Sequence, residues 1–284
     1  MASTPPHQIR YLRIPQETLP MAVDSLQIKH FQRQGYLVVR QLISGSELQT
    51  LDQMINRLLD GELSPVTAYE GWLPDHFYTF WEPEMEGRTD LPRRDRVRLM
   101  SNMYHHHPYF RSIGGHRAIY EVISALYQDG VQFFSDTVFM KPARHGIEAA
   151  SHQDTAFWPK LRPNAMNFWL AIDPATIENG CLHLIPATHT VDLPHHDHPV
   201  QGHILHDHQL AMERQIPIEL DPGDAIFFDS GLVHRSYPNH SDLSRRAYGA
   251  VYGAANLQHI EPWNLSSLAE DTPDYRFELI QPPE

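Results

Sequence analysis

The chain has 284 residues, 41% of them hydrophobic and 20% charged, an ordinary globular composition and long enough to bury a large core. Its formal charge of −13 disfavours nucleic acid as a partner, because that binding depends on a positive surface that releases counterions. A single cysteine, Cys181, leaves no internal disulfide to form, the N-terminus lacks the apolar core of a signal peptide, and no run is apolar enough to span a bilayer, so the sequence reads as a cytoplasmic protein without a membrane partner.

Residues 1–23 carry four prolines and little periodicity and read as an extended arm. Leu26, Ile28, His30 and Phe31 predict a short helix over 24–34, stopped by Gly35, and YLVV at 36–39 predicts a strand. Ser44 or Ser46 caps the clearest helix of the chain. In it Leu48, Leu51, Ile55 and Leu58 recur on one face until Gly61, a periodicity that means packing on a sheet. Residues 62–95 mix prolines and acids with Trp72, Phe77, Tyr78, Phe80 and Trp81. A stretch this long without regular structure is either a substrate lid or a surface segment pinned by its aromatics. Arg93, Arg94, Arg96 and Arg98 form a local basic cluster. His105, His106 and His107 diverge on any regular backbone and fit a loop or a helix start better than one metal ion. One helix is predicted from about 108 to 128, with Ile119, Val122, Ile123, Leu126 and Tyr127 on its apolar face and Gly114 and Gly115 weakening its first half.

After Gly130 the character changes to short strand-like runs at 131–140, 166–173, 181–185, 216–220, 225–229, 232–236 and 246–252. Turn signals at Glu178-Asn179-Gly180, Asp221-Pro222-Gly223-Asp224 and Pro238-Asn239 separate them. Such punctuation implies a barrel or double-sheet jelly roll, and helices followed by strands make the class α+β, mainly β, with N-terminal helices packed on the β core. The chain is expected to form a single domain: the arm at 1–23, mainly helical support over 24–130, the β core over 131–255 and a proline-rich tail over 256–284 that wraps the surface.

Within this core SHQDTAFW, at 151–158, places His152 and Asp154 two residues apart. On a strand that spacing points an imidazole and a carboxylate to the same side. With His234, at the end of the run after the Gly223-Asp224 turn, they would make a two-histidine, one-carboxylate facial set with open positions, which suits Fe(II) and O2. Arg245 opens the next run. A buried arginine pairs bidentately with a carboxylate such as the far end of an α-keto diacid, Ser236 on the strand face of His234 adds a hydroxyl, and Arg246 points the other way. His-Asp pairs also arise by chance in a chain with 20 histidines, and His195 to His208 (HHDHPVQGHILHDH) is richer still in ligand types, so a separate Zn²⁺ site or a lid over the main site competes there.

HQD at 152–154, ENGCLHLIPATH at 178–189, GDAIFFDSGLVH at 223–234 and HRSYPNHSDLSR at 234–245 resemble the phytanoyl-CoA dioxygenase family. Looser likeness runs through FMKP (139–142), HHPYFRSI (106–113) and HFQRQGYLVV (30–39). The resemblance implies a double-stranded β-helix that uses Fe(II), 2-oxoglutarate and O2. It implies His152, Asp154 and His234 as iron ligands, Arg245 as the main cosubstrate anchor, and Thr137, Trp169 and Ser236 as further cosubstrate contacts. Arg98 falls where related sequences often carry a lysine that reaches the cosubstrate. The family's Pro-Gly-Ser-His turn is here Pro186-Ala187-Thr188-His189, and the presence of Asp154 disfavours halogenation, which needs a small residue in its place.

The implied activity is hydroxylation, or another oxidation, of an unactivated C–H bond with release of succinate and CO2. No G-x-S-x-G or phosphate loop offers competing chemistry. The aromatic stretch at 69–81 fits a small apolar or amphipathic metabolite. A fatty acyl-CoA would draw on RRDRVR (93–98) for its phosphates, against the charge of −13. Two non-catalytic alternatives are a cupin-like metal-binding protein in which Arg245 has a structural salt bridge, and a metal-storage or sensing module built on His195–His208.

Overall fold

The computed structural model describes residues 11–13, 23–63, 78–101, 103–128, 130–157, 165–254 and 278–279. Strand β1 (Tyr11–Arg13) comes from the expected arm and pairs in parallel with β2 (Tyr36–Arg40). Between them α1 (Ser25–Gln34) opens with a capping box: the Asp24 carboxylate accepts from the N–H groups of Leu26 and Gln27, and Gln27 reaches back to the Asp24 N–H. Gly35 closes the helix at φ 82°, a left-handed position that suits glycine. Helix α2 (Gly45–Leu59) takes Ser44 as its cap and buries Leu51, Ile55, Leu58 and Leu59.

Two expectations need correcting in the next stretch. Residues 64–77, with Trp72 and Phe77, lie outside the described residues, and the remainder of the supposed loop contains β3 (Tyr78–Trp81), which pairs with β4 (Val97–Ser101). Three of the four arginines there are already engaged. Arg94 bridges Asp60 at 2.5 Å, Arg93 donates to the Thr79 hydroxyl and Arg96 stacks over Trp81, so these three side chains have protein partners, of which Asp60 is the anionic one. A short helix, α3 (Met103–His106), precedes the expected span, and the single helix expected over 108–128 is two, α4 (Pro108–Gly114) and α5 (Arg117–Tyr127). The break falls at Gly115, and the side chains of His107 and His116 each cap the helix that follows. The histidine triplet is thus spread across a helix and a cap, as its divergence requires.

The β core follows: β5 (Val131–Phe139), β6 (Ala149–His152), β7 (Ala165–Ala171), β8 (Leu182–Leu184), β9 (His196–His198), β10 (Gly202–Ile204), β11 (Ile216–Ile218), β12 (Ala225–Asp229), β13 (His234–Ser236), β14 (Ala247–Ala254) and β15 (Glu278–Leu279). One large sheet runs β1-β2-β12-β7-β14-β5-β4-β3, with β15 from the expected tail also paired to β5, and a smaller sheet runs β11-β8-β13-β6. The two sheets make the expected double-stranded β-helix.

Period-two alternation sends each strand's residues to two different cores. Leu37, Val39, Phe168, Leu170, Ala225 and Phe227 pack with the helices, while Tyr36, Val38, Trp169, Ala171, Ile226 and Phe228 face the small sheet. The helices therefore plug one face of the large sheet, and the other face is free to form a site against the small sheet. Cys181 is buried as a free thiol. No described helix is long and apolar enough to cross a membrane.

Candidate metal centre and cosubstrate pocket

The small sheet sets His152 and His234 directly opposite each other on β6 and β13. Their rings lie 4.2 Å apart between centroids. Asp154 joins them by a route the sequence did not indicate. Strand β6 ends at His152, and Asp154 is the first residue of a 3-10 turn (Asp154–Ala156), so the turn rather than strand alternation swings its carboxylate back. His234, likewise, does not end the strand that begins at 225. That strand, β12, belongs to the large sheet, and a turn at 230–233 carries the chain across so that His234 opens β13 in the small one.

Between the two histidine and aspartate positions, Gln153 turns the other way and is 1% exposed. Its amide donates to the carbonyls of Val191 (2.7 Å) and Gly231 (2.6 Å) and accepts from the Leu193 N–H, tying the approach to His234 to the turn that carries Asp154.

Donor atoms from His152, Asp154 and His234 all lie within 4.8 Å of one another, and among the described residues this is the one group of three His, Cys, Asp or Glu donors so placed. The Nδ1 atoms face backbone carbonyls, of Ala150 at 2.7 Å for His152 and of Leu232 at 2.9 Å for His234. Each imidazole must donate from Nδ1, which turns the Nε2 lone pair inward as a metal-binding histidine requires. Asp154 faces these Nε2 atoms at 3.2 and 3.7 Å. Three acceptors converging in a buried space are stable only with a proton or a cation between them, and two imidazoles with one carboxylate suit Fe(II).

The titration shifts follow this crowding. Burial opposes the Asp154 charge, but the His234 and His152 rings and the Asn167 side chain outweigh it and hold the carboxyl below its usual range. Burial also opposes protonation of His152, whose hydrogen bond to Asp154 prevails and raises it, whereas burial and the neighbouring His152 push His234 down to about 4.

The three donors open onto a cavity of about 360 Å³ between the sheets. All the cosubstrate residues expected from the sequence line it: Arg245, Ser236, Trp169, Thr137 and Arg98. Arg245 is 4% exposed, and burial pushes its guanidinium down to about 10. Its Nε has no hydrogen-bond partner, and it forms no ion pair among the described residues. Trp169 lies over the guanidinium at 5.2 Å. Arg246, one residue on, faces the opposite way and pairs with Asp173 and Asp52. Thr137 shares a hydrogen bond of 2.9 Å with Ser101, and Gly249 sits between Thr137 and Trp169, where a Cβ would strike the Phe139 ring at 2.6 Å. Arg98 enters beside Glu82, its Nη2 reaching the Glu148 carbonyl at 3.4 Å.

Sequence reasoning missed Asn167, Glu82 and Lys141, all of which line the cavity. Asn167 was findable, since it lies two residues before Trp169 on the same strand face. Glu82 and Lys141 lie beyond strand ends and carried no such signal.

The histidine-rich segment forms the β9–β10 hairpin, which folds along β6 through the Leu205 N–H to Ser151 carbonyl bond (2.7 Å) and places Gln201 in the cavity wall. Its Asp207 pairs with Arg235, which also holds Glu148, and its closest ring pair, His196 and His206 at 4.6 Å, continues to His208, which stacks on His206 at 5.5 Å. The three-donor metal site weighed for this segment does not assemble among the described residues.

Comparison with known proteins accords with the site. The family profile described as phytanoyl-CoA dioxygenase matches residues 31–247. The mouse protein named phytanoyl-CoA dioxygenase domain-containing protein 1 is 26% identical over 284 residues, covering 88% of this chain and 96% of its own length. Among solved structures, EctD from S. alaskensis in its apo form superposes with a TM-score of 0.68 at 20% identity, covering 91% of this chain and 85% of that one. EvdO2 from Micromonospora carbonacea var. aurantiaca, complexed with 2-oxoglutarate, superposes with a TM-score of 0.59 at 26% identity, covering 84% and 93%.

Proposed function

We propose that this chain, which belongs to the phytanoyl-CoA dioxygenase family and is an Fe(II)- and 2-oxoglutarate-dependent dioxygenase, seats its iron on His152, Asp154 and His234, anchors 2-oxoglutarate on Arg245, and oxidises a C–H bond of a small, largely apolar molecule. The observation that carries this reading is the pairing of two unmet demands in one cavity. Three inward acceptors suit a cation, and a buried guanidinium that forms no ion pair among the described residues suits an anion.

Fe(II) held there would supply O2 activation coupled to decarboxylation of 2-oxoglutarate into succinate and CO2. The chain's own residues bind, orient and exclude water. The carbonyls of Ala150 and Leu232 fix the imidazole tautomers, and Asn167 steadies Asp154. Arg245 offers a two-pronged partner to the distal carboxylate, Trp169 stiffens it from above, and Ser236, Thr137 and Arg98 supply polar contacts to the same diacid. The walls are rings and aliphatic chains, Phe80, Phe134, Phe139, Phe157, Phe228 and Leu99 among them, which keep the reacting region dry. That lining, with three arginines of RRDRVR engaged elsewhere, favours a small apolar or amphipathic substrate over an acyl-CoA.

The cupin-like alternative needs a structural salt bridge on Arg245, and no such pair exists among the described residues. Anaerobic titration of 2-oxoglutarate into the Fe(II)-loaded protein tests the proposal: a weak visible charge-transfer band is expected, with succinate formed on exposure to air. Failure of 2-oxoglutarate to perturb the Fe(II) protein would overturn it.

A further inference from the structure

Beyond the residues assigned above, one buried cation of the cavity has no role yet. Lys141 is 4% exposed and lies just past the end of β5. Its backbone and that of Arg245 exchange both hydrogen bonds, Lys141 N–H to Arg245 carbonyl at 3.1 Å and Arg245 N–H to Lys141 carbonyl at 3.0 Å. Residues paired in this way point their side chains to the same side, so Lys141 and Arg245 enter the cavity as neighbours.

The path of the lysine is fully constrained. A Cβ at Gly180 would lie 2.8 Å from its Cδ, a Cβ at Gly146 would press on its Cγ, and both positions are glycine. At the end of this channel Nζ donates to the carbonyls of Ile147 (2.8 Å) and Tyr237 (2.6 Å). Ile147 leads into β6 and its His152, and Tyr237 follows directly on β13 and its His234. Asn239 adds a bond of 3.0 Å to the Lys141 carbonyl. One side chain therefore ties the backbone pair of Lys141 and Arg245 to the segments that flank both histidine strands. It forms no ion pair among the described residues, and burial pushes its ammonium well below its ordinary range.

We propose that Lys141 is a positioning residue that fixes the span between the Arg245 guanidinium and the His152–Asp154–His234 centre, and so sets which length of α-keto diacid the cavity accepts. The inference rests on the function proposed above. It also explains why a lysine, costly to bury, occupies a place where methionine would fill the same channel. The ammonium reaches two carbonyls that flank different strands, and no apolar chain can hold both.

Lys141→Met and the milder Lys141→Gln test it, each loaded with Fe(II) and titrated anaerobically with 2-oxoglutarate and with its one-carbon-longer homologue, 2-oxoadipate. Both variants are expected to bind Fe(II) as the wild type does. Affinity for 2-oxoglutarate should fall about tenfold or more, and preference for it over 2-oxoadipate should shrink by a similar factor. Unchanged affinity and preference in either folded variant would overturn the proposal. So would loss of Fe(II) binding in both, because that would make Lys141 a support of the metal centre rather than of the span. If the wild type itself gives no 2-oxoglutarate-dependent band, the proposed function fails and takes this inference with it. A normal wild type beside indifferent variants sinks the inference alone.

Discussion

Each side of the large sheet buries a carboxylate, and the two are stabilised in opposite ways. On the helix side Asp136, with 0% exposure, accepts from the Tyr104 N–H at 3.0 Å and the Tyr248 hydroxyl at 3.0 Å. All its partners are neutral, and burial drives its carboxyl up to about 7. On the other side Asp154 is held below its usual range by two imidazoles and an amide, although burial opposes its charge as well. The helix side meets its polar groups internally and packs the rest with apolar chains. The side facing the small sheet gathers three acceptors around one point, beside cations that form no ion pair among the described residues, and that imbalance marks where ligands belong.

The contrast can be broken most directly at Asp154. Asp154→Ala removes the one anionic donor, so iron affinity should fall at least about a hundredfold and succinate formation should vanish, with the fold retained by circular dichroism. Arg245→Met comes next. The dissociation constant for 2-oxoglutarate should rise roughly 10- to 100-fold, as expected for losing a charge-assisted pair, while Fe(II) affinity holds. Because the guanidinium forms no ion pair among the described residues, the ligand-free variant should be no less stable than the wild type in urea, and a large loss would show a further structural partner.

Asp136 sharpens the other side of the comparison. Its folded pKa of about 7 lies above the unfolded value of 3.8, so the folded state binds more protons in between, and stability falls as pH rises from about 4 to about 7. Asp136→Asn removes that slope. The fall in unfolding free energy between pH 5 and pH 8 should shrink by as much as about 3 kcal/mol, read from urea midpoints at the two values. The smallest effect is expected at Ser44→Ala, which deletes the α2 cap: about 1 kcal/mol of stability, with turnover unchanged because α2 packs on the side away from the site.

Much of this arrangement was legible in the chain itself. The helices at 25–34 and 45–59 announced themselves through their apolar residues, the Gly35 stop and the Ser44 cap, since caps and apolar stripes are local properties. His152, Asp154, His234 and Arg245 stood out as chemical types in a recognisable order, and the cavity gathers all four. What misled was geometry that depends on neighbours. Asp154 lies in a 3-10 turn rather than on the strand of His152, and one helix became two because His116 offered its side chain as a new cap after Gly115.

The sequence by itself determined which residues could serve, because donor type, helix caps and two-residue alternation are written in adjacent positions. The tertiary structure alone decided how they meet. The turn at 230–233 moves His234 from one sheet to the other, the backbone bonds between 141 and 245 set Lys141 beside Arg245, and Arg93, Arg94 and Arg96 take Thr79, Asp60 and Trp81 as partners. Such contacts join positions far apart in the chain, where no local pattern can signal them. They form because two sheets closing on one another must bury their facing groups together and leave open only what a ligand can satisfy.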